Sequence, residues 1–289
     1  MESLVHIDNI NISATYGLRL GDGSLASLLE WPSLKEVYYN DWHEEDGLEP
    51  DLSAPVLDTR ECTLSFVGNA TLTQVDEFVL LLRDGAYHTF WSNKVFTYTL
   101  RLVRVDSVKW YDNLCVVRMT FADDTPLADF TPSRPSSTIS ADRKYRIDNT
   151  PLTTYNVNVL EGINAELLRL GEVKENLVVS TSSTPGISYD SEGVIFKARE
   201  VRIPCLMTAP NVTTLRTNYY QLLHDITTPG EHIFMATPLG MKYLFHYVSS
   251  NMHKAYLDNK LWLQFDIVVN IYAAPSIIST YELDDIQQE

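Results

Sequence analysis

Residues 40–47 read NDWHEEDG and gather Asp41, His43, Glu44, Glu45 and Asp46 around one tryptophan. Side chains of these types hold metals or move protons. A zinc protease would need HExxH on a helix, with two imidazoles on one face. Here His43 is followed by Glu44 and Glu45, and no second histidine stands nearby. An EF-hand needs spaced oxygen ligands that close on a glutamate, and Asp41-x-His43 breaks that series. Weak cation binding by the carboxylates and a plain solvated loop are what the stretch still allows.

Other candidates are thinner. Asp123-Asp124 and Asp284-Asp285 are paired acids at a strand end and in the tail, where solvated turns are expected rather than a glycosidase pair. His88 and His232 sit in matching places beside aromatics and read as hydrogen-bonded strand histidines. No phosphate-binding GxxxxGK[ST] or GxGxxG and no GxSxG elbow occurs. The sequence therefore predicts no catalytic residue, no cofactor and no metal, and a protein that is not an enzyme.

Composition narrows the classes further. The chain has 289 residues, 45% of them hydrophobic, and a formal net charge of -16. Such acidity argues against nucleic-acid binding through phosphate neutralisation. Cys62, Cys115 and Cys205 show no CxxC spacing and lie in apolar runs, so buried free thiols are expected. No apolar run is long enough to span a bilayer, and MESLVHIDN lacks the basic and apolar regions of a signal peptide. Folding in a cytoplasm without a membrane anchor is the expectation.

The chain is written twice. Arg60-Glu61 recurs as Arg199-Glu200, an offset of 139 residues. The same offset carries Thr15-Tyr16 onto Thr154-Tyr155, Gly23 onto Gly162, and Leu28-Leu29 onto Leu167-Leu168. It also carries Lys35-Glu36 onto Lys174-Glu175 and Gly47 onto Gly186. Internal repeats of this kind decide architecture. The halves are read as residues 1–130 and 144–275. A Ser/Thr/Pro-rich linker over 131–143 joins them, and an acidic tail over 276–289 follows.

Each half shows period-two alternation, the mark of half-buried strands. The runs are YGLRL, KEVYY and RECTLSFVG, then YNVNV, KENLVV and REVRIPCLM. A long loop or loose hairpin separates the second and third run of each half. One helix per half follows, with Thr73 and Thr214 as expected caps. Long strands such as FTYTLRLVRV and KLWLQFDIVVNIY complete the pattern. The fold class is mainly β with α: two tandem antiparallel β-sandwich or barrel domains, each with one flanking helix. Set over its counterpart VSTSSTPG (Val179 to Gly186), NDWHEEDG shares only the closing glycine. Trp42, His43, Glu44, Glu45 and Asp46 then read as an exposed loop of the first half that touches a neighbouring subunit. Gly47 and Gly186 are the structural turns, and Arg60 and Arg199 open strands.

With these residues in place, each half resembles the N-terminal domain of siphophage distal tail proteins and, more broadly, the tail-tube fold. The pattern runs from YGLRL through a loop closing in EEDG to the strand led by Arg60. It continues with a helix ending LLLRDG, then HTFW, TYTLRLVRV and VVRMTFADDTPL. Gly17, Asp46, Gly47, Arg60, Phe121 and Pro126 hold the family's places. The second half keeps Gly186 and Arg199 but has Asn156 for Gly17 and Pro185 for Asp46. The resemblance implies a structural component of a phage or prophage tail, located in the virion tail and forming a ring around its channel. Expected partners are further copies of itself, as a pseudo-sixfold trimer or a hexamer, and the tube and tape measure proteins. DNA is met only in passing through the lumen, where net negative charge suits sliding without adhesion. A tandem carbohydrate-binding module is the alternative, and it would present Trp42 and Trp91 on one concave face.

Overall fold

The computed structural model describes residues 5–92, 95–140, 142–175, 178–183, 185–189 and 193–279. The tail acids Asp284 and Asp285 lie outside these.

The first half supplies β1 (Val5–Ile7), β2 (Ile10–Asn11), α1 (Ile12–Tyr16), β3 (Leu18–Leu20), α2 (Ser24–Leu29), β4 (Tyr39–Asn40) and β5 (Glu49–Pro50). It continues with β6 (Arg60–Gly68), α3 (Leu72–Leu82), β7 (Tyr87–Ser92), β8 (Val95–Tyr111) and β9 (Leu114–Asp123). The second supplies β10 (Tyr145–Ile147), β11 (Thr150–Pro151), a 3-10 turn (Leu152–Tyr155), β12 (Val157–Val159), α4 (Ile163–Leu168), β13 (Val178–Val179) and β14 (Ser188–Tyr189). It continues with β15 (Arg199–Ala209), α5 (Val212–Ile226), β16 (His232–Ala236), β17 (Met241–Leu257), β18 (Leu261–Ile271) and β19 (Ser276–Ile277). One sheet runs β2-β1-β7-β8-β9-β6-β3 and the other β11-β10-β16-β17-β18-β15-β12, with β19 added against β17. All the pairings are antiparallel. The chain is therefore mainly β with a minority of helix, the class its alternating runs predict.

Those runs alternate because one face of each strand is buried. Cys62, Leu64 and Phe66 of β6, and Val201, Ile203, Cys205 and Met207 of β15, are all 1% exposed or less. The three cysteines are free and buried, and burial pushes the Cys62 thiol up to about 11. Each long helix lays an apolar stripe on its sheet: Val75, Phe78 and Leu82 from α3, and Leu215, Tyr219 and Leu222 from α5. The two sets of buried side chains form one continuous core, with Trp31 as the bridge. Its ring lies 4.7 Å from Tyr219 and 5.1 Å from Phe265.

Several local expectations change. The cap of α3 is Thr71, not Thr73, because Gln74 completes a reciprocal box. The Gln74 N–H donates to Thr71 Oγ1 (3.3 Å) and the Thr71 N–H to Gln74 Oε1 (2.9 Å). The cap of α5 is Asn211, which accepts from the Thr214 N–H (2.8 Å). KEVYY is not a strand. Leu34 makes one bridge to Leu57, and pairing resumes only at Tyr39, because residues 31–34 leave their own sheet to reach the other. KENLVV likewise keeps one bridge, Val173 to Phe196, and the pair Val178–Val179. Its residues 176 and 177 lie outside the described set. Besides the long helix, each half has short helical turns before its third strand and after it.

The Ser/Thr/Pro segment is pinned rather than loose. The Ser133 N–H donates to Gln221 Oε1 (2.7 Å), the Ser136 N–H to Asn218 Oδ1 (3.0 Å) and the Thr138 N–H to Asn156 Oδ1 (2.7 Å). Asn156 adopts the left-handed conformation at φ 61°, as Gly17 does at φ 66°. Asparagine tolerates that region, and its side chain here also holds the segment in place.

Candidate functional site at the junction of the two sheets

The loop of residues 41–46 hangs from the β4–β5 pair, where Tyr39 faces Pro50 and Asn40 faces Glu49. The Trp42 indole N–H donates to Glu49 Oε2 (3.0 Å) and Asn40 Nδ2 to the same oxygen (3.3 Å). These two bonds hold the exposed Glu49 carboxyl below the usual carboxylate range. The inner side of the loop faces the second half of the chain. There Lys174, only 6% exposed, donates from Nζ to Asp41 Oδ1 (2.6 Å), the Trp42 carbonyl (2.7 Å) and the Glu45 carbonyl (2.8 Å). Asp46 Oδ1 accepts from the Phe196 N–H (2.7 Å). The Gly47 N–H donates to the Phe196 carbonyl (2.7 Å) and the Leu48 N–H to the Tyr272 carbonyl (2.9 Å). A buried ammonium that is paired and fully hydrogen-bonded is a stable arrangement. The ammonium commits Asp41 to structure and the Phe196 N–H commits Asp46, while the exposed Trp42, His43 and Glu44 side chains make no hydrogen bond to the second half among the described residues. Among the described residues no group of three His, Cys, Asp or Glu side chains is placed to hold a metal.

Gly47 and Gly186 share a left-handed backbone, at φ 75° and 83°. They differ in surroundings. A Cβ on Gly47 would stand 1.8 Å from the Tyr272 carbonyl oxygen, whereas one on Gly186 meets nothing within 4 Å. Gly186→Ala is expected to lower stability by about 1 kcal/mol, the conformational term alone. Gly47→Ala should lower it by roughly 3 kcal/mol or more, because the loop must also lift off Tyr272. Chemical denaturation of the two variants checks this, and equal losses would show that the close approach is not maintained.

The strand-opening arginines perform one task twice. Arg60 Nη1 donates to the carbonyls of Leu28 (2.6 Å) and Glu30 (2.8 Å) at the end of α2, and Nη2 reaches Asp123 Oδ2 (3.3 Å). Its guanidinium carbon lies 4.8 Å over the Tyr98 ring. Arg199 donates to the carbonyls of Glu166 (3.0 Å) and Leu167 (2.8 Å) at the end of α4. Each donates to the terminal carbonyls of a helix, the Glu166 carbonyl also accepting the Arg169 N–H (3.3 Å). The Asp123-Asp124 pair is accordingly not a solvated turn. Asp123 meets Arg60, and Asp124 meets Arg101 and accepts from the Tyr87 hydroxyl (2.9 Å).

Just past Arg60 and α2, residues 29–34 strap the first half to the second. The Tyr219 hydroxyl donates to the Leu29 carbonyl (2.7 Å) and the Tyr247 hydroxyl to the Pro32 carbonyl (2.8 Å). The Trp31 N–H donates to Ser250 Oγ (2.9 Å) and the Leu34 N–H to the Val248 carbonyl (2.8 Å).

The halves do share one polar constellation. His88 is buried, with Nδ1 2.5 Å from Asp8 Oδ2 and Nε2 3.1 Å from Asp84 Oδ1. His232 repeats it, with Nδ1 3.0 Å from Asp148 Oδ2 and Nε2 3.0 Å from the Thr228 carbonyl oxygen. Each aspartate also accepts the next backbone N–H along, from Thr89 or Ile233 (2.8 Å in both). An aspartate–histidine pair is half of a proton-transfer triad, but here both ring nitrogens are engaged. No nitrogen is left to accept a proton from a nucleophile, so the pairs tie β1 and β10 to their neighbouring strands. At His232 burial disfavours the charged ring. The Asp148 and Thr228 bonds outweigh it and raise the pKa.

His246 is the opposite case. It is 8% exposed, stacks on Tyr272 at 5.8 Å, and its Nδ1 has no partner among the described residues. Burial pushes its pKa down to about 4. The unfolded chain binds that proton near pH 6.5, so stability falls as pH drops from about 6.5 toward 4. The loss is expected to reach about 2–3 kcal/mol. His246→Phe should remove this component of a stability–pH profile, and an unchanged profile would count against it.

No family model matches the chain, and no curated protein matches it in sequence. Among solved structures the chain aligns with the SPP1 Dit (gp 19.1) protein, described as a paradigm of the hub adsorption apparatus in phages infecting Gram-positive bacteria. The alignment covers 94% of this chain and 99% of that one, at 9% identity and a TM-score of 0.32. No helix among the described residues is long and apolar enough to cross a membrane.

Proposed function

We propose that the chain is a structural component of a phage or prophage tail, two tandem tail-tube-like units over residues 1–130 and 144–275 that assemble into a ring around the tail channel. The observation that carries this reading is the junction. Two sheets of one strand order are joined side by side through different surfaces, residues 29–47 of one and the β17 side with Lys174 and Phe196 of the other. A contact between unlike surfaces of like units repeats around an axis and closes when the rotation divides a full turn. The tail-tube resemblance of the YGLRL, Arg60 and TYTLRLVRV segments supports the same reading. Partners are then further copies of the chain and the neighbouring tube and tape measure proteins. Trp42, His43 and Glu44, on the outer side of their loop, are a second surface for a neighbouring subunit.

The test is microscopy of tailed particles from the source genome, labelled with antibody to this chain. Labelling at the tail tip is the expected result. Particles with fully unlabelled tails would overturn the reading. Glycan binding mapped to Trp42 and Trp91 would favour a carbohydrate-binding module instead.

A further inference from the structure

The junction between the halves uses one projecting and one receiving surface, and the chain carries each of them twice. The projecting surface is the end of α2 with residues 29–34. The receiving surface is the edge of β17 beyond its last pair with β16, His232↔Phe245, together with Tyr219 of α5 and Phe265 of β18 beside it.

Strand pairing sets β8 over β17. Leu102 pairs Phe121 where Tyr247 pairs Val269, and each strand then bulges, between Leu102 and Arg104 and between Tyr247 and Ser249. The bulged residue is Val103 in β8 and Val248 in β17. The Val248 carbonyl accepts from the Leu34 N–H, whereas Val103 is exposed. Beyond the pair Tyr87↔Arg101, no strand among the described residues lines the outer edge of β8. Val103, Val105, Val108 and Trp110 stand exposed along it. An open apolar edge of this length is a site for association.

The projecting surfaces show the same asymmetry. Leu29 and Trp31 are 1% and 3% exposed, and their counterparts Leu168 and Leu170 are 56% and 70% exposed. Val173, in the place of Leu34, is 50% exposed. Both segments are nevertheless held alike. Leu34 bridges Leu57 as Val173 bridges Phe196, and the Lys35 N–H donates to Val56 as the Lys174 N–H does to Ile195 (2.8 Å in both). The second projection is therefore formed in the single chain, where Lys174 at its end is held by the 41–46 loop and Leu168, Leu170 and Val173 stay exposed.

We infer that residues 168–173 dock on the β8 edge of a second copy of this chain, at Val103 and Val105, and so repeat the internal junction between chains. This rests on the assembly reading above and names its surfaces. Leu170 stands in for Trp31, and Val105 takes the place of Ser250, so the contact between chains is more apolar on its receiving side. It also accounts for Gly186. That glycine holds the backbone of Gly47 while exposed, where Gly47 is buried against the second half.

The experiment is sedimentation of the full chain, as wild type, Leu170→Glu and Val105→Glu, across a concentration series. The wild type is expected to assemble, and each variant to sediment as a monomer with an unchanged melting temperature. An equimolar mixture of the two variants should stop at a one-to-one pair, since it holds one intact projection and one intact edge that can meet. Leu170→Ser replaces Leu170→Glu if the charge lowers the melting temperature. A wild type that assembles alongside variants that assemble equally would overturn these surfaces and leave the tail reading to particle labelling. A wild type that stays monomeric throughout would overturn the inference, again with labelling to decide the tail reading. A mixture that forms species larger than the pair would do so as well.

Discussion

Arg60→Leu is expected to lower stability by about 3–5 kcal/mol, the range for removing one partner from a buried charged pair. The guanidinium is 7% exposed and serves three acceptors at once. Without it the carbonyls of Leu28 and Glu30 lose their donor at the end of α2, and Asp123 is left with a carboxylate in a mostly buried position. Burial already raises the Asp123 carboxyl pKa, and Arg60 opposes that rise. In the variant the pKa should climb further. The folded state then binds the proton more tightly than the unfolded one, so the variant is least destabilised at low pH and loses ground as pH rises through the folded pKa. Arg60→Leu combined with Asp123→Asn should recover part of the loss. Arg199→Leu is the internal control. It is only half-buried and its hydrogen-bond acceptors are two neutral carbonyls, so about 1–2 kcal/mol is expected. Chemical denaturation of all three variants at two pH values decides it. Equal losses for Arg60→Leu and Arg199→Leu would show that the Asp123 charge contributes nothing.

The arginine pair also marks how far the sequence could be read. An offset of 139 residues placed Arg60 over Arg199 at the heads of two alternating runs, and both runs are long central strands because one face of each is buried. Periodicity reports such faces directly. It does not report where a segment leaves its own sheet, and so KEVYY looked like a strand although Leu34 reaches across to Val248. The buried side chains at the junction were equally silent. A lysine is almost always exposed, and nothing around Lys174 distinguishes it from Lys35 except the loop that folds over it from more than a hundred residues away. Asp8 and Asp148 each stand about eighty residues before their histidines, too far for spacing to pair them. NDWHEEDG was legible as a loop with a required glycine. The commitment of Asp41 and Asp46 to the second half was not, because it depends on Lys174 and on the backbone of Phe196.

Those commitments make Lys174 the residue on which the loop depends, and Lys174→Met should free it. Methionine keeps the stem packed but removes three charge-assisted hydrogen bonds, taking the ammonium from the Glu45 carbonyl and leaving the Trp42 carbonyl only the Glu45 N–H (3.4 Å). The expected loss is roughly 2–4 kcal/mol. It should be local: the Gly47 amide, bonded to the Phe196 carbonyl, should exchange hydrogen much faster, while amides in β6 and β15 follow only the change in global stability. Asp41→Ala should have a smaller effect, since that carboxylate is half-exposed and Lys174 keeps both carbonyls. Lys35→Met, at the exposed counterpart position, should stay within about 0.5 kcal/mol of wild type. The contrast separates a lysine that locks two halves together from one that waits at an open surface. If Lys174→Met leaves the Gly47 amide as protected as before, the loop is held by Asp46 and its backbone bonds alone, and the ammonium is a passenger in the junction.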